Sequence, residues 1–508
     1  MTAELVQALQ QRWGARLIET HISWVLLDGV HAWKIKKPVK LPFLDASELA
    51  SRQRLCEAEL RLNRRLAPAL YLDVVAIGGT PVAPSLPAQG PPIEYALRMR
   101  QFDAGALLIE RLQAGTLMPA HMDKLAHTLA AFHIAAPVAP TGSSFGSPAV
   151  IEAATAQVLD GLSPQRDEAL VERLRSWLNA QALWLRPIWS QRQAQGHVVE
   201  GHGDLHLANA LVLGDEVTAF DCIEFDASLR WIDAFNDIAF VVMDLQAHRR
   251  ADLAYRFLNA YLDETGDHAG LATLRYALVY RALVRALVAR LRGAAADGVS
   301  QPDYLAVAGQ LSEPVGARLL ITHGLSGSGK SHVSSGLLVH SKAIRLRSDV
   351  ERKRLYGREV LDHRAQRGTD PMYGPEAAQR TYACLRDKAA IALAAGYPVI
   401  VDAACLRLAE REGFRALAAS MGVPFTILHC QASEATLRER VSARTLRADD
   451  ASDADLAVLT AQLAQVEPLR EHERPDTIVF DAAAPWVLAD LAARWGAVKV
   501  ATGGAEQV

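Results

Sequence analysis

The sequence has little of several features that would point to particular classes of protein. Its five cysteines are scattered through 508 residues and never form a C-x-x-C pair. This excludes a disulfide framework and a cysteine-rich zinc module, and it favours a reducing, cytoplasmic compartment. No uncharged apolar run reaches the roughly 18–20 residues of a membrane span, and no signal peptide is predicted. We therefore expect a cytoplasmic protein that does not contact membranes.

An excess of charge of one sign is also missing. Residues 1–310 carry 29 Lys and Arg against 33 Asp and Glu, and residues 311–508 carry 25 against 24. Neither half has the basic excess of a duplex-binding surface, so nucleic acid is not favoured as a partner. Between Gly201 and Asp244, however, nine acids accompany a single base, Arg230. Such a cluster repels itself unless a cation lies within it, which suggests a metal site.

Length and pattern together predict more than one domain. At roughly 100–200 residues per domain, a chain of 508 residues is expected to form two or three cores. Mixed helix and strand patterns fill residues 1–295, and residues 296–316 have the composition of a linker. Strands then alternate with helices over residues 317–500, which predicts a parallel sheet. The expected fold class is α+β followed by α/β, with a long helical stretch from Asp252 to about Gly293.

A phosphate-binding motif opens the second domain. The segment from Gly324 to Ser331 fits G-x-x-x-x-G-K-[ST] and lies between a predicted strand and a predicted helix, which is the context that the motif requires. Its backbone N–H groups can surround phosphate oxygens, with Lys330 reaching the β- and γ-phosphates and Ser331 binding Mg²⁺. A glycine-rich turn without a ligand is the structural alternative. The predicted nucleotide contacts are Gly324, Gly327, Ser328, Gly329, Lys330, Ser331 and His332.

Acceptor-side residues of this domain are predicted from strand ends. Asp402 ends the apolar strand Val399-Ile-Val and is expected to bind Mg²⁺. Asp349 follows another strand and is expected to act as the base for an acceptor hydroxyl, while Arg347 or Arg352 holds an anionic substrate. A helix N-cap is the alternative for the segment around Asp349.

Two arginines on one helix complete the predicted site. Arg440 and Arg444 are four residues apart, so both guanidinium groups lie on one helix face and are expected to close over the transferring phosphate. A solvated face beside Glu439 is the alternative.

A second motif lies in the acidic segment. His202-Gly-Asp204 leads to Asn209 with the spacing H-G-D-x-x-x-x-N, and Asp221 follows twelve residues later. In phosphoryl transfer with this layout, one Asp accepts the proton of the acceptor hydroxyl, and the Asn and a second Asp hold Mg²⁺. Asp204 is thus the predicted catalytic residue, and Asn209 and Asp221 are the predicted metal ligands. Polar turn residues that cap short elements are the alternative, and His202 is expected to position the loop.

These motifs resemble two families of kinases. Residues 10–295 resemble the aminoglycoside phosphotransferases, which share the bilobal protein-kinase fold with choline kinases. Residues 317–500 resemble the small P-loop kinases related to gluconate kinase, polynucleotide 5′-kinase and zeta toxins. The first resemblance implies a bilobal amino-terminal domain, and the second implies a P-loop parallel-sheet domain.

The first resemblance also implies roles for residues outside the motifs. Lys34 would grip phosphate and pair with Glu59, with Glu57 as the fallback and Lys36 as the alternative lysine. Residues from Met99 to Phe102 would form the hinge beside adenine. Ser23 would donate to phosphate in place of a missing G-x-G-x-x-G loop. Asp233 and Asp237 would support the catalytic loop.

Departures from the family pattern bear on the acceptor. No activation loop follows Asp221, which disfavours a protein substrate. Glu224 and Asp226 are metal or substrate ligands, or else acids of a turn. Arg281 and Arg285 lie four residues apart on a predicted helix. Facing the acceptor pocket, they would favour an anionic or neutral sugar or polyol; a solvated stripe is the alternative.

The sequence therefore predicts two fused kinases, each transferring the γ-phosphoryl group of a nucleotide to a hydroxyl of a small molecule such as a sugar or polyol. The expected cofactors are Mg²⁺ and ATP, with GTP as the alternative nucleotide. Three other functions remain open: aminoglycoside resistance, 5′-phosphorylation of nucleic acid, and nucleotide-gated regulation by the P-loop domain. The oligomeric state is not predicted.

Overall fold

The structure, a computed structural model, describes residues 2–41, 44–162, 167–292, 301–359, 371–447, 454–484 and 486–498, without the side chains of residues 292 and 444–447. Contacts within the chain divide it into two compact units. The first unit comprises the described parts of residues 1–244 and 280–295, and the second comprises those of residues 245–279 and 296–508. No helix of these ranges is long and apolar enough to cross a membrane.

The first 250 residues contain the following helices and strands: α1 (Thr2–Trp13), β1 (Arg16–Glu19), β2 (Ser23–Leu27), β3 (His31–Lys36), β4 (Lys40–Leu41), β5 (Leu44–Asp45), α2 (Leu49–Asn63), β6 (Tyr71–Thr80), β7 (Ala83–Ser85), β8 (Glu94–Arg100), α3 (Leu108–Gln113), α4 (Pro119–Ala135), α5 (Pro148–Leu162), α6 (Glu168–Ala194), β9 (Val198–Glu200), β10 (Ala210–Leu213), β11 (Glu216–Ala219), α7 (Ala227–Arg230), β12 (Trp231–Asp233) and α8 (Ala234–Ala247).

The remaining elements are α9 (Ala251–Thr265), α10 (Leu271–Arg292), α11 (Tyr304–Ser312), β13 (Leu319–His323), α12 (Lys330–Ser341), β14 (Ile344–Arg347), α13 (Ser348–Leu355), α14 (Pro375–Ala394), β15 (Val399–Asp402), α15 (Leu408–Ser420), β16 (Phe425–Gln431), α16 (Glu434–Arg447), α17 (Leu456–Gln465), β17 (Thr477–Asp481) and α18 (Leu488–Ala497).

The first unit is built on an antiparallel sheet with the strand order β1-β2-β3-β8-β6-β7. Successive side chains of a strand point to opposite faces, and β3 uses both faces. Trp33 and Ile35 pack with Leu5 and Leu9 of α1 in one apolar core. Lys34 and Lys36 lie on the opposite face, where both contact Glu59 of α2. The core on one side of β3 thus directs its two lysines towards the same carboxylate.

The second unit contains a parallel sheet with the order β14-β15-β13-β16-β17. Every residue of β13 and β15 is buried, as expected when helices cover both faces of a parallel sheet. The phosphate-binding segment follows β13, and Asp402 ends the neighbouring β15. Because parallel strands end at the same edge, the sheet brings these predicted groups together.

The described part of the helical stretch predicted from Asp252 to about Gly293 forms two α-helices that are separated by a short break. α9 ends at Thr265, and Gly266 adopts φ +69° at its carboxyl terminus. This left-handed conformation is readily accessible to glycine and is a common way to end a helix. A Cβ at this position would also lie 2.6 Å from Nε of Arg354. The apolar periodicity continues across the break because α9 and α10 both bury an apolar face.

Helix α9 packs against the edge strand β14 of the parallel sheet. The side-chain amide of Asn259 donates to the carbonyl oxygen of Ala343 at 2.9 Å and accepts from the backbone N–H of Arg345 at 2.6 Å. One buried side chain thereby occupies backbone groups that an additional strand would otherwise pair. Residues 245–279 belong to the second unit by these contacts, whereas the boundaries at 295/296 and 316/317 stay a prediction from sequence.

We expect Asn259→Ala to lower the free energy of unfolding of the full chain by about 1–3 kcal/mol, because it leaves the carbonyl of Ala343 and the N–H of Arg345 without these bonds. Urea unfolding would measure the change. Asn179 is an exposed residue of α6, and Asn179→Ala serves as the control, with an expected effect within about 0.5 kcal/mol. Equal stabilities of the two variants would contradict the role of Asn259.

Candidate active sites

The amino-terminal site begins with an ion-pair chain. Nζ of Lys34 lies 2.7 Å from Oε1 of Glu59 and 2.6 Å from Oδ1 of Asp221. Burial alone would lower the pKa of Lys34, but the charges of Asp221 and Glu59 raise it well above its ordinary value. The lysine therefore stays charged beside the carboxylate that is predicted to bind metal. The predicted contact with Glu59 is present, and Glu57 is not needed for it.

A second lysine extends this chain. Lys36 is almost fully buried and contacts both Glu59 and Glu224. Burial raises the pKa of Glu224, and the charge of Lys36 opposes that effect. The side chain of Asp226 instead accepts from the N–H of Ser228 and begins α7. In this structure, Glu224 is buried against a lysine and Asp226 caps a helix, which are structural contacts.

The loop with the H-G-D motif brings Asp204 and Asn209 together. Nδ2 of Asn209 donates to the backbone oxygen of Asp204 at 3.0 Å and to its Oδ2 at 3.3 Å. Burial raises the pKa of Asp204, but the positive charges of His206 and Arg285 outweigh it, so the pKa lies below its ordinary value. The carboxylate remains 36% exposed. It is therefore ionised and accessible, as a group that accepts a proton must be.

The histidine of the motif positions the loop. Nε2 of His202 lies 2.8 Å from the carbonyl oxygen of Phe220, the residue before Asp221. The imidazole is fully buried, and this burial lowers the pKa of His202. A neutral ring that links the two halves of the site fits the positioning role expected for it.

Buried acids of α8 form hydrogen bonds with the backbone of the loop that carries Asp204, and a buried acid of β12 forms an ion pair beside it. Asp237 is fully buried and accepts from the N–H groups of His202 at 2.6 Å and Gly203 at 2.9 Å. Asp244 accepts from the N–H of Leu207 at 2.9 Å. Asp233 binds Arg192 through both carboxylate oxygens. The suspected metal cluster is therefore not formed by these acids, and no group of three or more His, Cys, Asp or Glu side chains in the described ranges could hold a metal ion.

The structure places Ser23 and Met99 differently from the phosphate contact and the adenine hinge that were expected of them. Ser23 is 0% exposed, so its hydroxyl cannot reach a phosphate in this conformation, and the predicted contact is not supported. Met99 lies within β8 rather than in a hinge and packs in a core with Ala32 and Tyr71. Partly buried Phe102 and Phe220 pack against this core, with ring centroids 5.6 Å apart. These two rings extend the apolar core beside β8.

The two arginines predicted for the acceptor side differ in environment. Arg281 is buried, with its guanidinium 4.3 Å from the ring of Phe240 and its Nε donating to the carbonyl oxygen of Asn236. Burial lowers its pKa. Arg285 is half-buried, and its charge acts on Asp204. Arg281 is therefore not part of a solvated face, whereas Arg285 is partly exposed, and its place on the acceptor side stays a prediction.

The carboxyl-terminal site is shaped by the phosphate-binding loop. A Cβ on Gly324, where φ is +152°, would lie 2.5 Å from the carbonyl oxygen of Cys430. A Cβ on Gly327, where φ is +84°, would lie 2.8 Å from that of Leu437. Only glycine fits this tight turn. Gly329 precedes α12 and also has a positive φ, +91°.

Loop and strand ends surround a cavity of about 630 Å³. Nζ of Lys330 donates to the carbonyl oxygen of Leu325 at 2.8 Å, and the amide oxygen of Gln462 accepts from the N–H of Ser326. The hydroxyl of Ser328 is buried, whereas His332 is exposed at the rim. The predicted residues that line this cavity are Gly327, Gly329, Lys330, Ser331, His332, Arg347, Asp349, Arg352, Asp402 and Arg440.

Asp402 lies beside the first turn of α12. Its Oδ1 is 3.4 Å from Oγ of Ser331, and its Oδ2 accepts from Oγ of Ser334 at 2.9 Å. Arg345 approaches the same carboxylate at 4.0 Å. A hydroxyl and a carboxylate at this spacing suit the hard oxygen coordination of Mg²⁺.

The acceptor side of the cavity carries paired charges. Nη1 of Arg352 donates to Oδ1 of Asp349 at 3.1 Å. Arg347 lies 3.9 Å from Oδ2 of Asp263, a residue of α9. α13 begins at Ser348 with Arg347 as its N-cap, so Asp349 is not the capping residue. The carboxylate instead faces the cavity that the phosphate-binding loop lines.

Arg440 contacts the phosphate-binding loop directly. Its Nη1 donates to the carbonyl oxygen of Gly327 at 3.4 Å, and its Nη2 donates to that of Ala482 at 3.5 Å. The guanidinium is exposed and can turn towards a phosphate group. The side chain of Arg444 lies outside the described residues.

Sequence reasoning missed several residues that build these sites. Asp244 lies seven residues after Asp237 on α8, two helical turns away, and this spacing was a usable signal because it places both on one face. His206 lies within the predicted motif, 3.5 Å from Oδ2 of Asp204. Asp263 and Gln462 carried no local signal, because only the fold brings them to the second site.

Comparison with known proteins follows the same division of the chain. Residues 44–275 match the model of the phosphotransferase enzyme family, and residues 319–469 match the model of an AAA domain. The chain is an ATP-dependent phosphotransferase. Its two kinase-type domains and its expected fold class, a kinase-like domain followed by a P-loop parallel sheet, are confirmed.

The chain also resembles another protein over most of its length. An uncharacterized protein of Mycobacterium tuberculosis is 29% identical over 456 residues, which cover 88% of this chain and 89% of the relative. A gluconokinase structure from Sinorhizobium meliloti gives 23% identity and a TM-score of 0.25, with 35% of this chain and 89% of that chain covered. The structure of a choline/ethanolamine kinase family protein from Mesorhizobium loti gives 14% identity and a TM-score of 0.36. The match covers 61% of this chain and 92% of that chain.

The support of the catalytic loop by Asp237 leads to a pH-dependent prediction. Burial raises the pKa of Asp237, but the hydrogen bond and charge of His133 and the contacts with His202 lower it to about 2, from an ordinary 3.8. Ionised Asp237 therefore stabilises the fold at neutral pH, by about 2–3 kcal/mol. We expect Asp237→Asn to lower the free energy of unfolding by this amount at pH 7.

The difference in unfolding free energy between wild type and Asp237→Asn should become smaller as the pH falls below about 4. Protonation of Asp237 then removes the stabilisation that its ionised carboxylate provides in the wild type. Urea unfolding between pH 7 and pH 3 would measure it. Asp215→Asn, at an exposed position, is the control and should change little at any pH. A deficit of Asp237→Asn that stays constant over this range would contradict the assignment.

Proposed function

We propose that each domain transfers the γ-phosphoryl group of ATP to a hydroxyl of a small-molecule acceptor. In the amino-terminal domain, the exposed, ionised Asp204 supports this proposal most directly, because it lies in hydrogen-bond contact with Asn209 and can receive the proton of an acceptor hydroxyl. Lys34, held by Glu59, would bind the phosphates. Apolar residues beside β8 would take the adenine ring.

The metal would be Mg²⁺ in both domains. Asn209 and Asp221 offer an amide and a carboxylate oxygen in the first site, and Ser331 and Asp402 offer a hydroxyl and a carboxylate in the second. These are the hard oxygen ligands that Mg²⁺ prefers, with phosphate oxygens completing its coordination. The ion supplies neutralisation of phosphate charge when bound. The contact between Lys34 and Asp221 supports this proposal, because it keeps the phosphate-binding lysine and the proposed metal ligand next to each other.

In the carboxyl-terminal domain, Asp349 would act as the base and Lys330 would bind the β- and γ-phosphates. Arg440 would close the site over the phosphates. The contact of its exposed guanidinium with the phosphate-binding loop supports this role. Arg347 and Arg352 line the same cavity as Asp349. Two guanidinium groups beside the proposed base favour an acceptor that carries negative charge.

The acceptor of the amino-terminal site is proposed to be an anionic or neutral sugar or polyol. Aminoglycosides are polycations, and a site for them would present acids to the acceptor. Among the groups that act on Asp204, Arg285 is a permanent positive charge, and it lowers the pKa of Asp204. Aminoglycoside modification is therefore not the function that this site favours.

The central experiment is a mass-spectrometric search for phosphorylated products after incubation of a polar-metabolite library with Mg²⁺-ATP. We expect Asp204→Asn to reduce the rate of one product by about 100-fold or more, because general-base catalysis contributes about 10²–10⁴. We expect Lys330→Ala to abolish a product of the second site. Asp226→Asn is the matched control, since Asn also caps helices well.

Loss of one product in both variants would indicate that the two sites act in series. The absence of any phosphorylated metabolite, with nucleotide still bound, would contradict the proposal and favour a regulatory P-loop domain.

A second prediction addresses the acceptor directly. Arg285→Gln removes a charge that acts on Asp204, so we expect the KM for an anionic acceptor to rise about tenfold while the KM for ATP stays the same. The pKa of Asp204 should also rise, which moves the acidic limb of the pH–rate profile to higher pH. Initial rates over a pH series would measure both effects. Arg290→Gln, at an exposed position of α10, is the control. An unchanged acceptor KM in Arg285→Gln would end the proposal of a cationic acceptor pocket.

A further inference from the structure

A cavity of about 250 Å³ lies in the second unit, apart from the phosphate-binding loop. Its walls come from the turn between α8 and α9, from α10 and α11, and from the loops that precede β14 and β15. Those loops lie at the amino-terminal edge of the parallel strands, whereas the phosphate-binding loop follows the carboxyl end of β13. The cavity is therefore separate from the nucleotide site.

The lining of this cavity is rich in positive charge and in hydrogen-bond donors. Arg249, Arg275 and Lys342 line it, and Glu313 is the one acid among the lining residues. Nε of Arg275 donates to the carbonyl oxygen of Leu311 at 3.3 Å, which fixes the guanidinium at the end of α11. The charge balance suits a ligand with about two negative charges.

Two buried donors of the cavity have no hydrogen-bond partner among the described residues. The side chain of Tyr397 is 3% exposed, and its hydroxyl forms no hydrogen bond in the described structure. The Nε2 group of Gln246 is also buried without an acceptor. Burial raises the pKa of Tyr397 well above its ordinary value, so the hydroxyl keeps its proton and can donate. Because buried donors are nearly always paired, these two point to an acceptor supplied by a ligand.

The backbone at the rim has an unusual conformation. Arg249 has φ +59° and Lys342 has φ +53°, values in the left-handed region that is uncommon for residues other than glycine. Both side chains are exposed, and within the described ranges neither has an acidic partner. Left-handed backbone at non-glycine positions is often found at ligand-binding sites.

We propose that this cavity binds a small phosphate-bearing metabolite, whose phosphate group is held by Lys342, Arg249 and the hydroxyl of Tyr397. A phosphate group supplies the negative charge that would pair with Arg249 and Lys342, and it supplies acceptor oxygens for the hydroxyl of Tyr397 and the amide of Gln246. The volume is below the roughly 300–1,000 Å³ of pockets for drug-sized ligands, so the metabolite is small. The site is additional to both proposed active sites and does not depend on their function.

The test uses inorganic phosphate as the probe and the full chain as the protein. Equilibrium dialysis with radiolabelled phosphate is carried out with saturating Mg²⁺ and a non-hydrolysable ATP analogue, so that the nucleotide sites are filled. We expect Lys342→Ser to weaken phosphate binding about tenfold, the usual effect of losing a charge-assisted hydrogen bond. Arg494 is an exposed residue of α18 that does not line the cavity, and Arg494→Ser should leave the affinity unchanged.

Tyr397→Phe distinguishes a ligand-binding hydroxyl from a structural one. The substitution removes only an unpaired oxygen, so without phosphate the stability to urea should stay the same or rise. Phosphate binding should nevertheless weaken severalfold. The proposal is overturned by equal affinities in wild type, Lys342→Ser and Tyr397→Phe, or by no phosphate binding to wild type. A loss of stability in phosphate-free Tyr397→Phe would also overturn it. None of these outcomes bears on phosphoryl transfer, which is measured separately.

Discussion

The amino-terminal site depends on how the chain compensates its buried carboxylates. Nine acids between Gly201 and Asp244 cannot share one region of low dielectric unless each has a partner. Asp237 and Asp244 accept hydrogen bonds from backbone N–H groups of the loop that carries Asp204. Asp233 forms an ion pair with Arg192. The same contacts that remove the repulsion therefore fix the loop. Asp204 and Asp221 are left exposed to a ligand.

The second site is built by backbone conformation more than by charge. The close approaches at Gly324 and Gly327 form its loop, and parallel strands bring Asp402 beside Ser331. Charge enters at the acceptor side, where Asp263 of α9 lies near both Arg345 and Arg347. Helix α9 is part of the sequence that matches the phosphotransferase family, yet it packs with the P-loop sheet. The acceptor side of the second site thus includes a residue from the sequence of the first family.

The sequence predicted what local pattern determines. Residues close together in the chain determine the strand before Gly324 and the common face of Lys34 and Lys36 on β3. The structure contains both features. The break at Gly266 was missed because apolar periodicity continues on both sides of it. The hydroxyl of Ser23 was misjudged because burial is a property of the packed sheet. Asp263 and Lys36 acquire their partners only through tertiary packing, which no short window of sequence records.

Both proposed acceptor sides contain arginines, and this common feature bears on why two kinase-type domains occur in one chain. Arg285 and His206 act on Asp204 in the first site, and Arg347 and Arg352 line the second. A phosphorylated product is more anionic than its precursor. If one domain phosphorylates a sugar or polyol, its product gains the charge that the arginines of the other site would attract. Successive phosphorylation of one metabolite therefore agrees better with these electrostatics than two unrelated cationic acceptors do.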